Sequence, residues 1–232
     1  MINKSFVIYG ERNSGTNYLE TILTGQSYHI SSNMPAFDCL VLNPSRIDMK
    51  CKYGHKHFFG FYDKEIQEAD TSIVFIGIVR NPYDWIKALN NGIKHHIPPK
   101  NYPMLNFLSN QWYSIDHDPE SPTYGNELLE DRDFETGLRY ENIFKIRSKK
   151  LRYLYYTMPT IAKNYEFIKY EDLCSDPWSF VTHLSLKYNI PLKMPILEPI
   201  IKNPYDFSCE IKQIIDDNID WDIENEIGYF IR

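Results

Sequence analysis

The chain has 232 residues and a net charge of −6 at pH 7, and this length is sufficient for one α/β domain with a substantial core. Aromatic residues make up 15% of the sequence, a content that excludes an intrinsically disordered chain. The acidic balance argues against non-specific binding of nucleic acid by the protein as a whole. We therefore expect a single domain over residues 1–232 and no nucleic-acid partner.

The sequence contains no apolar segment of the length that a signal peptide or a membrane span requires. Its four cysteines lack the spacing and the histidine partners of a zinc site. These features predict a cytoplasmic protein with reduced thiols, no membrane association and no bound metal ion.

The first predicted elements are a buried strand, Phe6–Tyr9, a loop from Gly10 to Gly15, and a helix, Asn17–Leu23. A loop of this kind brings successive backbone N–H groups to the N-terminus of a helix, where they form an anion site. The segment therefore predicts a phosphate-binding loop. The alternative is a tight strand-to-helix turn without a ligand.

The glycine spacing of this loop, Gly-x-x-x-x-Gly, matches that of a nucleotide-binding P-loop. The next residue is Thr16, whereas an NTPase of that class needs a lysine that reaches the β- and γ-phosphates. Phosphate binding therefore remains the expectation, and ordinary ATP or GTP hydrolysis loses support.

A second apolar segment, Ser72–Val79, predicts another buried strand and is followed directly by Arg80. Pro82 ends this strand, and either Asn81 or Asp84 can cap the helix that follows. Arg80 is therefore expected at the carboxyl end of a strand, the edge at which open α/β sheets bind ligands. Its guanidinium group suits phosphate because it can pair with two oxygens at once; the alternative is a surface salt bridge.

The rest of the chain contains further elements and one proline-rich region. A strand is expected near Cys39–Leu42, and residues 97–135 hold five prolines and many polar residues, which is typical of a substrate-covering insertion. The later predicted elements are a basic helix at Tyr140–Met158, a strand at Tyr165–Tyr170, and helices at Trp178–Tyr188 and Ser208–Ile219.

The loop and the Arg80 segment together resemble the sulfotransferase family that uses 3′-phosphoadenosine 5′-phosphosulfate (PAPS) as donor. The matching residues are Ser14-Gly15-Thr16, similar to the loop that binds the 5′-phosphosulfate, and Arg80-Asn81-Pro82-Tyr83-Asp84, similar to the segment that binds the 3′-phosphate. Two later segments are also similar, Tyr170-Glu171-Asp172-Leu173 and the ending Trp221-x-x-Glu224-x-x-x-Gly228-Tyr229. The resemblance therefore extends over most of the chain.

This resemblance implies an α/β fold of the P-loop NTPase-like, three-layer type, with a mostly parallel sheet and helices on both faces. It implies PAPS as co-substrate and a hydroxyl acceptor, which we expect on a carbohydrate or another small molecule. The residues expected to bind the donor are Arg80 and, in the loop, Arg12, Asn13, Ser14, Gly15, Thr16 and Asn17.

Sulfuryl transfer also needs a cation near the bridging oxygen and a base for the acceptor hydroxyl. Most members of the family carry lysine immediately before Ser-Gly-Thr, where this chain has Asn13. Arg12 is the leading substitute, and Lys56 is the other candidate. His57 is favoured over His55 as the base, because Lys56-His57 resembles a pair found at this place in bacterial-type members and histidine titrates near neutral pH.

Ala88 is a departure from the pattern, because cytosolic members carry a serine eight residues after the motif arginine. The 3′-phosphate would then need help from elsewhere, with Arg147 or Lys149 of the basic helix as candidates. Asn13 and Ala88 together leave a non-catalytic, sulfotransferase-like binding protein as an alternative function.

A P-loop kinase or another nucleotide-binding protein is the remaining alternative. In such a protein the carboxylates of Glu171-Asp172 would hold magnesium.

His95-His96 follows the helix after Arg80 and is a candidate for contact with the acceptor or the donor.

Overall fold

A computed structural model describes most of the chain, in the ranges 4–24, 53–54, 56–57, 60–91, 103–115, 119, 124–128, 132–190 and 207–232. The predicted strand near Cys39–Leu42 lies outside the described residues. So do His55 and His95-His96.

Three strands form a parallel sheet: β1 (Ser5–Gly10), β2 (Ile73–Val79) and β5 (Tyr165–Lys169), in the order β1-β2-β5. The last residue of β1 lies opposite Ile78, and the last residue of β2 lies opposite the last residue of β5. Parallel strands that end in register bring their carboxyl ends to one edge. The prediction of an α/β fold with a parallel sheet is confirmed for these strands, and so is the position of Arg80 directly after β2.

Helices connect and flank these strands. The described helices are α1 (Thr16–Thr24), α2 (Asp63–Glu68), α3 (Pro82–Asn91), α4 (Met104–Ser109), α5 (Ile143–Arg152), α6 (Met158–Ile161), α7 (Tyr170–Ser175), α8 (Pro177–Tyr188), α9 (Cys209–Asn218) and α10 (Trp221–Ile227). A π-helical turn, Tyr153–Thr157, joins α5 to α6. Two short strands, β3 (Ser114–Ile115) and β4 (Glu127–Leu128), pair antiparallel.

Both faces of the sheet bury apolar side chains, because successive residues of a strand point to opposite sides. One face carries Val7, Tyr9, Phe75 and Val79 and packs against residues of α2, α5, α6, α10 and the π-helical turn. The other face carries Phe6, Ile8, Val74, Ile76 and Ile78 and packs against α1, α7 and α8. Strands covered on both faces read as the continuous apolar runs seen in this sequence.

A third cluster of buried residues fixes α3, the helix that follows Arg80. Trp85, Ile86 and Leu89 of α3 pack against apolar residues of α4, α5 and α9. At the start of α3, Asn81 Oδ1 accepts a hydrogen bond of 3.1 Å from the Tyr83 N–H. Of the two predicted caps, Asn81 therefore makes this contact. The cap and the apolar packing of α3 together fix the chain that follows Arg80.

The predicted basic helix at Tyr140–Met158 begins three residues later than expected. Tyr140 instead pairs with Trp112 in an isolated β-bridge, and its carbonyl oxygen accepts from the Trp112 N–H at 3.0 Å. The Asn142 side chain then caps α5 by accepting from the N–H groups of Phe144 and Lys145. Asn142 itself has an extended backbone, as is usual for the residue that caps the start of a helix.

The expected insertion at 97–135 lies only partly within the described residues. Its described parts contain α4 and the β3–β4 pair, and its role as a substrate cover stays a prediction. Among the helices that the structure describes, none is both long enough and apolar enough to cross a membrane.

Candidate functional site

The loop between β1 and α1 has two residues in the left-handed backbone region, Asn13 at φ 59° and Gly15 at φ 101°. A Cβ atom on Gly15 would lie 2.2 Å from Cδ2 of Tyr170, so a side chain would be both strained and blocked there. The Gly15 carbonyl oxygen accepts from the Leu19 N–H at 3.0 Å, within the first turn of α1. The loop therefore leads into a helix N-terminus, as the sequence predicts.

Gly10 brings the start of the loop into direct contact with β2. A Cβ atom at this position would lie 2.6 Å from the Ile78 carbonyl oxygen and 2.6 Å from Ser14 Oγ. Ser14 is fully buried, and its hydroxyl has no hydrogen-bond partner among the described residues. A buried hydroxyl without a partner costs free energy, so this loop contains a donor that a ligand oxygen would satisfy.

Arg80 joins the second strand to the loop. Its Nη1 donates a hydrogen bond of 3.2 Å to the Asn13 carbonyl oxygen, and its guanidinium carbon lies 4.8 Å from the centre of the Tyr170 ring. Its Nε is buried and has no partner in the part of the chain that the structure describes. Ser14, in the loop after β1, and Arg80, directly after β2, thus each carry a buried donor without a partner among the described residues.

Asn13 ties the loop to α3. Its Nδ2 donates to the Ala88 carbonyl oxygen at 3.1 Å. Next to it, the Arg12 carbonyl oxygen accepts from Trp85 Nε1 at 2.9 Å. The structure therefore brings Ala88 against the loop, although through its main chain rather than through a side chain.

Lys56 and His57 lie in a turn beneath the same loop. The Gly10 N–H donates to the Lys56 carbonyl oxygen at 2.9 Å, and His57 Nδ1 lies 2.8 Å from the Gly10 carbonyl oxygen. A carbonyl oxygen can only accept, so Nδ1 carries the hydrogen, and Nε2 is the basic atom of the neutral ring. Lys56 Nζ donates to Asn17 Oδ1 and forms an ion pair of 3.2 Å with Glu20.

A buried ionic cluster lies behind the loop and links three distant parts of the chain. Arg147 pairs through Nη1 with Glu11 at 2.9 Å and through Nε and Nη2 with Glu224; each of the three side chains is at most 2% exposed. Arg147 Nη2 also donates to the Arg80 carbonyl oxygen at 2.8 Å. Its guanidinium lies over the Trp85 ring at 4.9 Å.

Burial raises the pKa of Glu11 from 4.5 to about 7, although the charges of Arg147 and Lys150 oppose this shift. Burial likewise raises the pKa of Glu224. For Arg147, burial alone would lower the pKa, but the two carboxylates raise it above its ordinary value. The cluster therefore keeps a permanent positive charge between two carboxylates that resist ionisation.

The two residues expected to help with the 3′-phosphate have other partners. The guanidinium of Arg147 is enclosed by Glu11, Glu224 and the Arg80 carbonyl oxygen, so it acts on Arg80 and faces away from solvent. Lys149 forms ion pairs with Asp133 at 3.4 Å and Glu135 at 2.5 Å. The sequence pattern located the basic helix but not which of its charges are buried.

The two carboxylates that a kinase would need for magnesium also have partners. Glu171 accepts from the Asn81 N–H at 2.9 Å and from the Tyr229 hydroxyl at 2.7 Å, one bond to each carboxylate oxygen. Asp172 lies 3.5 Å from Lys169 Nζ. Glu171 therefore ties the Arg80 segment to the C-terminal segment.

Sequence reasoning missed the contributions of Glu11, Trp85 and Tyr170 to this site. Tyr170 begins the segment Tyr170-Glu171-Asp172-Leu173, which the resemblance had already singled out, but the contacts of its ring could not be predicted. The sequence pattern gave no signal for Glu11 or Trp85.

No family model matches the chain, and no curated protein matches it either.

Proposed function

We propose that this protein is a PAPS-dependent sulfotransferase that transfers a sulfuryl group to an acceptor hydroxyl, with a carbohydrate as the acceptor class. The proposal includes the finer fold assignment, a P-loop NTPase-like three-layer arrangement. The observation that carries it is a pair of buried donors without a partner among the described residues: Ser14 Oγ in the loop after β1, and Arg80 Nε directly after β2. PAPS carries one anionic group at each end of its ribose, so two neighbouring anion sites fit it.

In this proposal the loop binds the 5′-phosphosulfate. The donors are the backbone N–H groups of the loop and the hydroxyls of Ser14 and Thr16, with the N-terminus of α1 behind them. Arg80 binds the 3′-phosphate through its guanidinium, which can offer two parallel donors to a phosphate. The missing P-loop lysine is compatible with this donor, because PAPS has no γ-phosphate for it to reach.

The chemical step moves the sulfuryl group in line from one oxygen to another. The bond between sulfur and the bridging phosphate oxygen breaks, and its electron pair leaves with adenosine 3′,5′-bisphosphate. A bond forms between sulfur and the acceptor oxygen, whose proton passes to Nε2 of His57. Arg12 and Lys56 are the cations proposed to offset the charge on the leaving oxygen.

Two observations favour a second candidate, a non-catalytic protein of the same binding specificity. Lys56 is engaged by Asn17 and Glu20, and the lysine that most family members carry before Ser-Gly-Thr is Asn13, whose amide is bonded to Ala88. A protein of this kind would bind the donor nucleotide without transferring its sulfuryl group.

The test is thermal stabilisation by adenosine 3′,5′-bisphosphate, compared with AMP, ADP and ATP with magnesium at equal concentration. A ligand that binds only the folded state stabilises it by about 2.7 kcal/mol at 100 times its dissociation constant. We expect selective stabilisation by the 3′-phosphorylated nucleotide. Stabilisation by ATP with magnesium alone would replace the proposal with a kinase, and turnover of PAPS with a panel of saccharides separates the enzyme from the binding protein.

A further inference from the structure

Arg147 is the point at which the ends of two neighbouring strands are held together. It pairs with Glu11, the first residue after β1, and it donates to the carbonyl oxygen of Arg80, the first residue after β2. Both contacts are 2.8–2.9 Å long, and the Arg147 side chain is 1% exposed. The residue therefore contacts both sides of the candidate donor site from behind while facing no solvent itself.

We propose that Arg147 is a positioning residue for recognition of the 3′-phosphate: it holds the main chain of Arg80 in place relative to the loop, so that the Arg80 guanidinium can pair with that group. This inference rests on the proposed function. It assigns to Arg147 the positioning of Arg80, on which the selectivity of the donor site for a 3′-phosphate depends. Arg147 acts through Arg80 and is not itself a ligand contact.

The chemistry of a guanidinium explains why arginine occupies this place. Its planar group offers five N–H donors in fixed directions, and here these directions serve Glu11, Glu224 and the Arg80 carbonyl oxygen at the same time. An ammonium group in the same place would keep the charge but could not reach all three groups with one planar fork. The Trp85 ring covers the guanidinium face at 4.9 Å and also donates to the Arg12 carbonyl oxygen.

The C-terminal helix supplies the other side of this arrangement. Glu224 of α10 holds Arg147 from the side opposite to Glu11, and Tyr229 reaches the Asn81 N–H through Glu171. Two routes therefore run from the C-terminal segment to the main chain of Arg80 and Asn81. Rigid support of this kind is what keeps a phosphate-binding group in its productive orientation.

The test compares Arg147→Lys with Arg152→Lys, a matched control on the same helix. Arg152 also pairs with an acidic residue near the C-terminus, Asp220, but is 43% exposed and is not bonded to Arg80 or to the loop in the contacts described. Isothermal titration gives the dissociation constants for adenosine 3′,5′-bisphosphate and for AMP, and their ratio isolates the contribution of the 3′-phosphate. Arg147→Lys should lower the wild-type preference for the bisphosphate about tenfold, the size expected when a hydrogen bond to a charged group is weakened, and Arg152→Lys should leave it unchanged.

The outcomes separate this inference from the proposed function. If wild-type protein shows no preference for the bisphosphate, the proposed function fails, and the positioning role fails with it. If wild type shows the preference and Arg147→Lys keeps it, the positioning role is wrong and the function stands. A merely structural role for Arg147 would lower the melting temperature and shift both dissociation constants in parallel, so an unchanged ratio with lower stability also overturns the inference.

Should Arg147→Lys fail to fold, the double variant Arg147→Met with Glu224→Met replaces it. Removing both partners together avoids an uncompensated buried charge from Glu224. Titration at pH 6 keeps Glu11 largely protonated, because burial raises its pKa to about 7. The same fall in the preference for the bisphosphate is expected, and an unchanged preference overturns the inference.

Discussion

The ring of Tyr170 packs so closely on Gly15 that a Cβ atom at Gly15 would lie 2.2 Å from Cδ2 of the ring. The same ring lies under the Arg80 guanidinium at 4.8 Å. One aromatic side chain, at the first residue after β5, thus contacts both halves of the candidate donor site. The shape of the loop therefore depends on a residue that follows it by more than 150 positions.

Gly15→Ala should disrupt the loop. Its φ of 101° costs an L-residue roughly 1–3 kcal/mol, and the contact with Tyr170 adds a clash. Gly137→Ala is the matched control, because φ is also positive there, 71°, and no atom of the described residues lies within 4 Å of the added Cβ. Urea unfolding should show a larger loss in the free energy of unfolding for Gly15→Ala than for Gly137→Ala. Equal losses would mean that the contact with Tyr170 does not contribute to the destabilisation.

Arg80→Ala should weaken binding of adenosine 3′,5′-bisphosphate by about 1.5–3 kcal/mol, the usual contribution of a charged hydrogen bond. The affinity for AMP should change much less, because AMP lacks the 3′-phosphate. Titration calorimetry measures both affinities, with Arg152→Ala as a control on an arginine paired to Asp220. Unchanged affinity for the bisphosphate in Arg80→Ala would refute the assignment of this residue.

His57→Ala should lower sulfuryl-transfer turnover about 10²–10⁴-fold, the usual contribution of a general base. Binding of the donor nucleotide should be preserved, because the imidazole is proposed to act on the acceptor hydroxyl. His183→Ala is the control, since that histidine is half-exposed and hydrogen-bonded to Glu166 on β5. Full activity of His57→Ala would transfer the role to His55 or to His95.

Stability should fall as the pH rises from about 5 to about 7, because of Glu11. Burial raises the pKa of its carboxyl from 4.5 to about 7, so the folded state binds a proton in this range that the unfolded chain has already released. The favourable contribution is complete below about pH 4.5 and is lost as the pH passes through 7. Glu224, whose pKa is also raised by burial, changes stability in the same direction.

The glutamine in the variant Glu11→Gln cannot ionise, so this variant should lose less stability than wild type as the pH rises. The difference in the free energy of unfolding between Glu11→Gln and wild type should grow with pH by up to about 1.4 kcal/mol per pH unit between pH 5 and 7. Glu68→Gln, at an exposed position of α2, should leave the slope unchanged. A parallel decline in wild type and Glu11→Gln would show that Glu11 is ionised in the folded protein throughout this range.

The sequence pattern located β1, β2, the intervening loop and Arg80 because the signals for them are local. Continuous runs of apolar residues mark strands that are buried on both faces, and the glycines and Pro82 mark where these runs stop. α8 begins one residue before its predicted start and ends where predicted, and α9 is one residue shorter than predicted at each end. The start of α5 was predicted less accurately, because it depends on the Tyr140–Trp112 bridge between segments that are distant in the sequence.

The positions of β1 and β2, the glycine-containing loop after β1 and an arginine directly after β2 could be predicted from the sequence. The burial of Arg147 between Glu11 and Glu224 could not be predicted, because these residues lie 136 and 77 positions from it and meet only in the folded protein. The contact between His57 Nδ1 and the Gly10 carbonyl oxygen is of the same kind. Local propensity acts over a few neighbouring residues, whereas a buried charge can be tolerated only where folding brings its partners to it.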